Sequence, residues 1–124
     1  MRVLTMLLAA VVMITGLATT PAPASAETLT FNVRSNHQYR VQLEFYSQWR
    51  DAAWPGNGQA YVIADYEVHA YTLNCQSGEQ ICYGAWVDGD ASTYWGVGLN
   101  DQYGCSNCCY TCNGGATPVI NLNP

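Results

Sequence analysis

The stretch Gln80-Ile81-Cys82-Tyr83-Gly84-Ala85-Trp86-Val87 decides the fold class of this 124-residue chain. It is short enough for one strand, and it is apolar on both of the faces that a strand would present. Strands of this kind lie inside a sheet that is covered on both sides. Asp88-Gly89 follows at once and is a turn signal. The stretch therefore predicts a central, covered β-strand that ends in a tight turn.

Period-two alternation of apolar and polar residues extends this prediction along the chain. Residues 28–34 and 39–45 alternate clearly, as half-buried strands do, and the short polar link between them predicts a hairpin. No segment has helical periodicity with capping residues. We therefore predict an all-β fold, a small disulfide-stapled antiparallel sandwich or barrel of about six strands. The remaining strands are predicted at 59–63, 66–75, 80–87 and 93–99.

Residues 1–26 have the organisation of a cleaved export signal. Arg2 precedes an apolar run over 3–17, and the small-x-small triplet Ala24-Ser25-Ala26 closes the segment. A membrane anchor is the alternative, but the run is shorter than the roughly twenty residues that cross a bilayer. We predict that residues 27–124 form a single disulfide-rich β domain, secreted or periplasmic, with no membrane insertion after signal cleavage.

The charge balance excludes several partners. The chain has nine acidic side chains and four basic ones, all of them Arg, for a net charge of −5. A protein that neutralises phosphates needs the opposite balance, so we expect no nucleic-acid partner. A polybasic membrane-surface protein is excluded for the same reason.

Six cysteines follow the predicted signal. An even cysteine number in a small exported chain predicts a disulfide framework. Cys108 and Cys109 are adjacent, and neighbouring Cα atoms are too close for the usual disulfide span. Four of the six lie within eight residues, so at least one bond must close inside that cluster if all are oxidised. The cysteines are Cys75, Cys82, Cys105, Cys108, Cys109 and Cys112.

The pairing of Cys75 depends on where the chain turns. A two-residue turn at Gly78-Glu79 would place Cys75 opposite Cys82 in a hairpin, within disulfide range. A turn one residue earlier would put Cys75 opposite Gln80 instead. Both pairings of Cys75 stay open: a bond to Cys82, or a bond that staples this segment to the C-terminal cluster.

The back-to-back Cys-x-x-Cys units at 105–108 and 109–112 could instead bind zinc or catalyse thiol–disulfide exchange. Zinc needs two such pairs facing each other, but here no spacer separates them. Redox catalysis needs a cation or helix N-terminus that stabilises a thiolate, and neither is predicted nearby. A structural knot is favoured, and we expect no cofactor and no metal.

The loop over 47–58 is the candidate ligand site. Its prolines and glycines predict an irregular surface segment, and it carries two of the four Trp of the chain. Exposed rings beside amide and charged groups can stack on sugars or anchor a protein partner. The alternative is that the Trp side chains fold back over the sheet edge. The predicted ligand-binding residues are Trp49, Arg50, Asp51, Trp54 and Asn57.

Asp65, Glu67 and His69 form the rival site. On a continuous strand the three side chains would share one face, where a carboxylate beside an imidazole could support acid–base chemistry or metal binding. An ordinary solvated face is the alternative and is favoured. We assign no catalytic residue.

Three strings in the second half of the chain resemble a known class of proteins. They are Ile81-Cys82-Tyr83-Gly84-Ala85-Trp86, Tyr94-Trp95-Gly96-Val97-Gly98 and Cys105-Ser106-Asn107-Cys108-Cys109-Tyr110-Thr111-Cys112. Together they are similar to small exported cysteine-rich bacterial proteins of unassigned function. The resemblance covers roughly the last two-thirds of residues 27–124 and implies no catalytic residues.

The sequence thus predicts an exported, non-catalytic binding or surface-interaction module, with carbohydrate or protein as partner. The alternative is a small extracytoplasmic hydrolase or metal-binding protein that uses the Asp65, Glu67 and His69 group.

Overall fold

The computed structural model describes Gly16 and residues 25–124. Residues 25–124 fold into strands and turns. The predicted signal at 1–26 lies almost wholly outside the described residues and stays a prediction. No helix in the part of the chain that is described could span a bilayer. A short 3-10 turn covers Leu99–Asp101. The strands of the described chain are β1 Ala26–Ser35, β2 Val41–Ser47, β3 Ala53–Trp54, β4 Tyr61–Ile63, β5 Val68–Gln76, β6 Gln80–Val87, β7 Asp90–Gly96, β8 Cys109–Thr111 and β9 Ala116–Leu122.

Two open sheets pack face to face, so the predicted all-β sandwich is confirmed. The small sheet has the order β5-β1-β9, and the large sheet has the order β3-β2-β6-β7 with β4 on β2 and β8 on β6. Alternate residues of both sheets point into one core, as the period-two pattern requires. The small sheet contributes Leu29, Phe31, Val33, Leu73, Ile120 and Leu122, and the large sheet contributes Val41, Leu43, Phe45, Ile63, Ile81 and Ala85.

The predicted strand 80–87 is confirmed as β6, which lies between β2 on one side and β7 and β8 on the other. The predicted hairpin over 28–45 is wrong. β1 belongs to the small sheet and β2 to the large one, so the connection between them crosses from one sheet to the other. Alternation shows which residues face the core, but it does not show to which sheet a strand belongs.

The strand count and one pairing also differ from the prediction. The described chain has nine strands, and β9 runs parallel to β1 where only antiparallel pairs were expected. The register of that pair shifts between Thr30 and Asn32. Asn32 bridges the irregularity, because its backbone N–H donates to the Thr117 hydroxyl and its side chain donates to the Thr117 carbonyl. Pro118 and this bulge disguise the alternation of β9 in the sequence.

All six cysteines form disulfides: Cys75–Cys112, Cys82–Cys109 and Cys105–Cys108. The structural knot is confirmed, including one bond inside the C-terminal cluster. The Cys75–Cys82 pairing is wrong, because the turn is centred on Ser77-Gly78, where the Glu79 N–H donates to the Gln76 carbonyl. β5 and β6 also lie in different sheets and do not form a hairpin. Cys75 instead joins the small sheet to the chain just after β8, so the alternative bond to the C-terminal cluster is confirmed.

Gly84 in β6 permits a close crossing of the chain. A Cβ atom at this position would lie 2.1 Å from the Gly98 carbonyl oxygen and 2.9 Å from the Tyr46 ring. We expect Gly84→Ala to destabilise the fold by about 1–3 kcal/mol, because backbone would have to move. Chemical denaturation measures this. Gly104→Ala is the control, since a Cβ there meets nothing within 4 Å; equal stability of the two variants would contradict the crossing.

Candidate functional site

A cleft of about 930 Å³ opens on the outer face of the large sheet. Its floor comes from β2 residues whose neighbours Val41, Leu43 and Phe45 point the other way into the core. The segment between β2 and β4 forms one wall, and the 3-10 turn forms the other. Almost every lining side chain that is not small can make hydrogen bonds. The floor is Gln42, Glu44, Tyr46 and Trp86, and the walls include Arg50, Asp51, Asn57, Gln59, Asn100 and Asp101.

The first wall is anchored by a buried carboxylate. Glu79 is 0% exposed, and Arg50 reaches it with two hydrogen bonds, Nε to Oε2 at 2.7 Å and Nη2 to Oε1 at 3.1 Å. The Ser47 hydroxyl and the Gln76 N–H also donate to this carboxylate. The four donors replace the water that burial removes, which a buried charge requires. The base of the loop is thereby tied to the connection between the two sheets.

The pKa of Glu79 reflects these contacts. Burial by itself raises the pKa of a carboxyl group, since it disfavours the charged form. The donors from Arg50, Gln76 and Ser47 outweigh burial and lower the pKa of Glu79 to about 2. The pair is therefore ionised across the physiological pH range, and the cation of Arg50 is already neutralised by Glu79 on the side away from the cleft.

The cleft floor contains a half-buried carboxyl group beside a buried phenol. Burial raises the pKa of Glu44, and a hydrogen bond with Tyr46 partly offsets this. Burial also raises the pKa of the Tyr46 hydroxyl. The Tyr46 oxygen accepts the Asn100 N–H at 2.9 Å, so the 3-10 turn is fixed to the floor. These contacts hold both the hydroxyl and the opposite wall in place.

Backbone strain is concentrated at this cleft. Among the residues described, the non-glycine residues with left-handed backbone are Asn57 (φ 57°), Asn100 (φ 58°) and Asp101 (φ 56°). All three line the cleft, one on the first wall and two on the second. Left-handed conformations of non-glycine residues cost free energy and cluster at ligand-binding positions. The cleft is thus the part of the described surface where the backbone is least ordinary.

The structure places three of the five predicted ligand-binding residues at the cleft and the other two elsewhere. Arg50, Asp51 and Asn57 line the cleft. Trp54 packs against the core and donates from Nε1 to the Asn74 carbonyl, so it follows the fold-back alternative. Trp49 is 56% exposed, but its ring lies over Gly78 and not in the cleft.

The floor of the cleft was not predicted from the sequence. Gln42 and Glu44 alternate with core residues of β2, so their shared outer face could have been noticed, but nothing local distinguishes it from an ordinary solvated face. Only Leu99 of the 3-10 turn lay in the predicted strand 93–99. The approach of the turn to β2 depends on long-range contacts. Trp86 was assigned only to a covered strand.

Of the three residues of the rival site, Asp65 and His69 have side chains in contact, whereas Glu67 joins them only through its backbone N–H. β5 begins at Val68, two residues later than the predicted strand 66–75, so Asp65 and Glu67 precede the strand and do not share its face with His69. Asp65 Oδ1 lies 2.6 Å from His69 Nε2 and accepts the Glu67 N–H at 3.0 Å. The hydrogen bond with His69 is the main cause that lowers the pKa of Asp65. Within residues 25–124, no group of three His, Cys, Asp or Glu side chains is placed to hold a metal ion.

Comparisons with protein-family models, with curated proteins and with solved structures find no significant match for this chain.

Proposed function

We propose that the protein is an exported, non-catalytic binding module whose outer-sheet cleft takes a carbohydrate polymer. One observation supports this most strongly. A single wide cleft is lined by hydrogen-bonding side chains and by the three non-glycine residues of the described chain that have left-handed backbone. Sugars present many hydroxyl groups that both donate and accept hydrogen bonds. Amides and carboxylates such as Gln42, Asn57, Gln59 and Asp51 complement them.

The charge of the cleft supports a ligand without phosphate or sulfate groups. Glu44, Asp51 and Asp101 are carboxylates on its lining, whereas the Arg50 cation is matched by Glu79. An anionic polymer would meet carboxylates with no free cation to offset them. A neutral glycan avoids that cost. This supports sugar polymers over nucleic acid and over acidic peptides.

Export is part of this proposal. Three disulfides are typical of small proteins that fold outside the reducing cytosol. The predicted signal at 1–26 would supply the route. A secreted or periplasmic binding module would meet wall or environmental polysaccharides.

A panel of neutral hexasaccharides, including cellohexaose and N-acetylchitohexaose, tests the proposal by titration against Trp fluorescence and calorimetry. We expect saturable binding of at least one glycan. Asp51→Ala combined with Gln59→Ala should weaken it about tenfold or more, because each lost hydrogen bond to a ligand costs roughly a kcal/mol. Asp51 and Gln59 are exposed, so the double variant should fold normally.

Trp49→Ala is the matched control, because it removes an exposed ring of the same loop that does not line the cleft. Its affinity should equal that of the unmodified protein. If Trp49→Ala abolishes binding and the cleft variant does not, the ligand sits on the loop tip and the cleft assignment is wrong. No response across the panel would exclude the sugar proposal.

A further inference from the structure

The cleft is rich in polar groups but almost without accessible ring surface. Trp86 contributes to its floor, yet only 6% of this residue is exposed. Carbohydrate sites usually combine directional hydrogen bonds with an aromatic face on which the apolar side of a sugar packs. The cleft by itself supplies the hydrogen bonds but hardly any exposed aromatic face.

Exposed rings lie directly beyond Trp86 on the same face of the sheet. Trp86 of β6 pairs with Tyr94 of β7, so both side chains point outward from the core. Tyr103 stacks on Tyr94, with ring centroids 3.9 Å apart and planes 8° from parallel. Tyr94 is 40% exposed and Tyr103 is 37% exposed. The two rings cover each other on one face, and the rest of the pair is partly exposed next to the polar cleft.

One loop builds both surfaces. The segment between β7 and Tyr103 places Leu99, Asn100 and Asp101 on the cleft wall, and the Tyr103 N–H then donates to the Val97 carbonyl at 3.0 Å. A Cβ atom at Gly98 would lie 2.5 Å from the Tyr103 ring and 3.4 Å from the Tyr94 ring. Because glycine stands there, the two rings can pack closely over the loop. A ligand that touches the wall at Asn100 is therefore close to the tyrosine pair.

From this continuity we propose that the Tyr94–Tyr103 pair is a second, stacking subsite of the same ligand site. The ligand is then an extended oligosaccharide: one part hydrogen-bonds in the cleft, and further residues of the chain pack on the tyrosine rings. Tyrosine side chains suit this role because they offer large contact area with few rotatable bonds to immobilise. This subsite rests on the proposed function. It adds that the affinity depends on the length of the oligosaccharide.

Cellobiose and cellohexaose, with N-acetylchitobiose and N-acetylchitohexaose as a second pair, test this by calorimetry. The unmodified protein should bind a hexamer about tenfold more tightly than the matching dimer. Tyr94→Ala with Tyr103→Ala should weaken hexamer binding about tenfold and leave dimer binding unchanged. Tyr94→Phe with Tyr103→Phe keeps the rings and should keep the hexamer affinity.

Tyr39→Ala with Tyr66→Ala is the matched control, since these tyrosines are also exposed but line a separate small pocket. It should leave both affinities unchanged. If the Tyr94/Tyr103 alanine variant keeps the full length dependence, or weakens dimer and hexamer equally, the stacking subsite is wrong while glycan binding in the cleft stands. If the unmodified protein binds none of these sugars or the wider panel, the proposed function fails and the subsite fails with it.

Discussion

Replacing Glu79 with glutamine is expected to lower the free energy of unfolding by about 3 kcal/mol at pH 7. The carboxylate is fully buried and accepts hydrogen bonds from Arg50, Ser47 and Gln76. Glutamine keeps the size of the side chain, but it loses the charge and turns an NH₂ group towards donors. Only the carboxylate of this ion pair is buried, since 42% of the Arg50 side chain is exposed. The cost therefore comes mainly from the Ser47 and Gln76 donors, which lose a charged acceptor inside the protein. Urea denaturation at pH 7 measures the loss.

The pH dependence gives this prediction its control. The pKa of Glu79 in the folded protein is about 2, below the ordinary value of 4.5. The contribution of Glu79 is therefore fully present above the unfolded-state pKa, and it is lost as the pH falls from about 4.5 towards 2. The stability gap between the unmodified protein and Glu79→Gln should close over that range.

Glu67→Gln is the matched variant, because Glu67 is exposed and changes of this kind usually stay within about 0.5 kcal/mol. Equal stability of the Glu79 and Glu67 variants at pH 7 would show that the Arg50–Glu79 pair does not hold the wall of the cleft. A gap that persists unchanged at pH 2 would contradict the ionised state of Glu79.

Removal of the Cys75–Cys112 disulfide is expected to cost more than removal of Cys105–Cys108. The first bond links positions 37 residues apart, and the second links positions 3 apart. The loop-closure relation gives about 4 kcal/mol for the longer loop and about 2 kcal/mol for the shorter one. Position in the fold adds to the difference. Cys75 and Cys112 are both buried in the main core, whereas Cys108 is buried in a smaller cluster and its partner Cys105 is only partly buried.

Paired Cys→Ala variants of each bond, compared by chemical denaturation, measure this difference. The buried pair also leaves space in the core, which increases its cost. Mass spectrometry confirms that the other two disulfides are intact in each variant. If the Cys105–Cys108 variant were the less stable one, the assignment of Cys75–Cys112 as the link between the sheets would be wrong.

Local sequence signals account for most of the strands. β6 was predicted with its observed bounds, because apolar residues on both faces and the Asp88-Gly89 turn define it locally. The core positions of β1 and β2 also follow from alternation. What alternation could not show is the sheet to which each strand belongs, so two sheet-to-sheet crossings were interpreted as hairpins. A crossing and a hairpin use similar short polar connections.

The candidate site was harder to predict because it is made by contacts between distant segments. Arg50, Asp51 and Asn57, which line the cleft, were predicted as ligand-binding residues because they lie in one unusual loop. Glu79 carries no local signal of burial, and its partner Arg50 is 29 residues away. Asn100 approaches Tyr46 from 54 residues away. Such long-range juxtapositions depend on the sheet order, which the sequence pattern does not contain.

The most direct test of the cleft as the binding site is amide chemical-shift mapping by NMR during titration with the tightest-binding hexasaccharide of the panel. We predict that the shift changes centre on Asp51, Asn57 and Asn100, on both walls of the cleft, and that the signals of Asp65 and His69 do not move. Changes centred on the Asp65–His69 pair, or confined to the Trp49 loop tip, would contradict it.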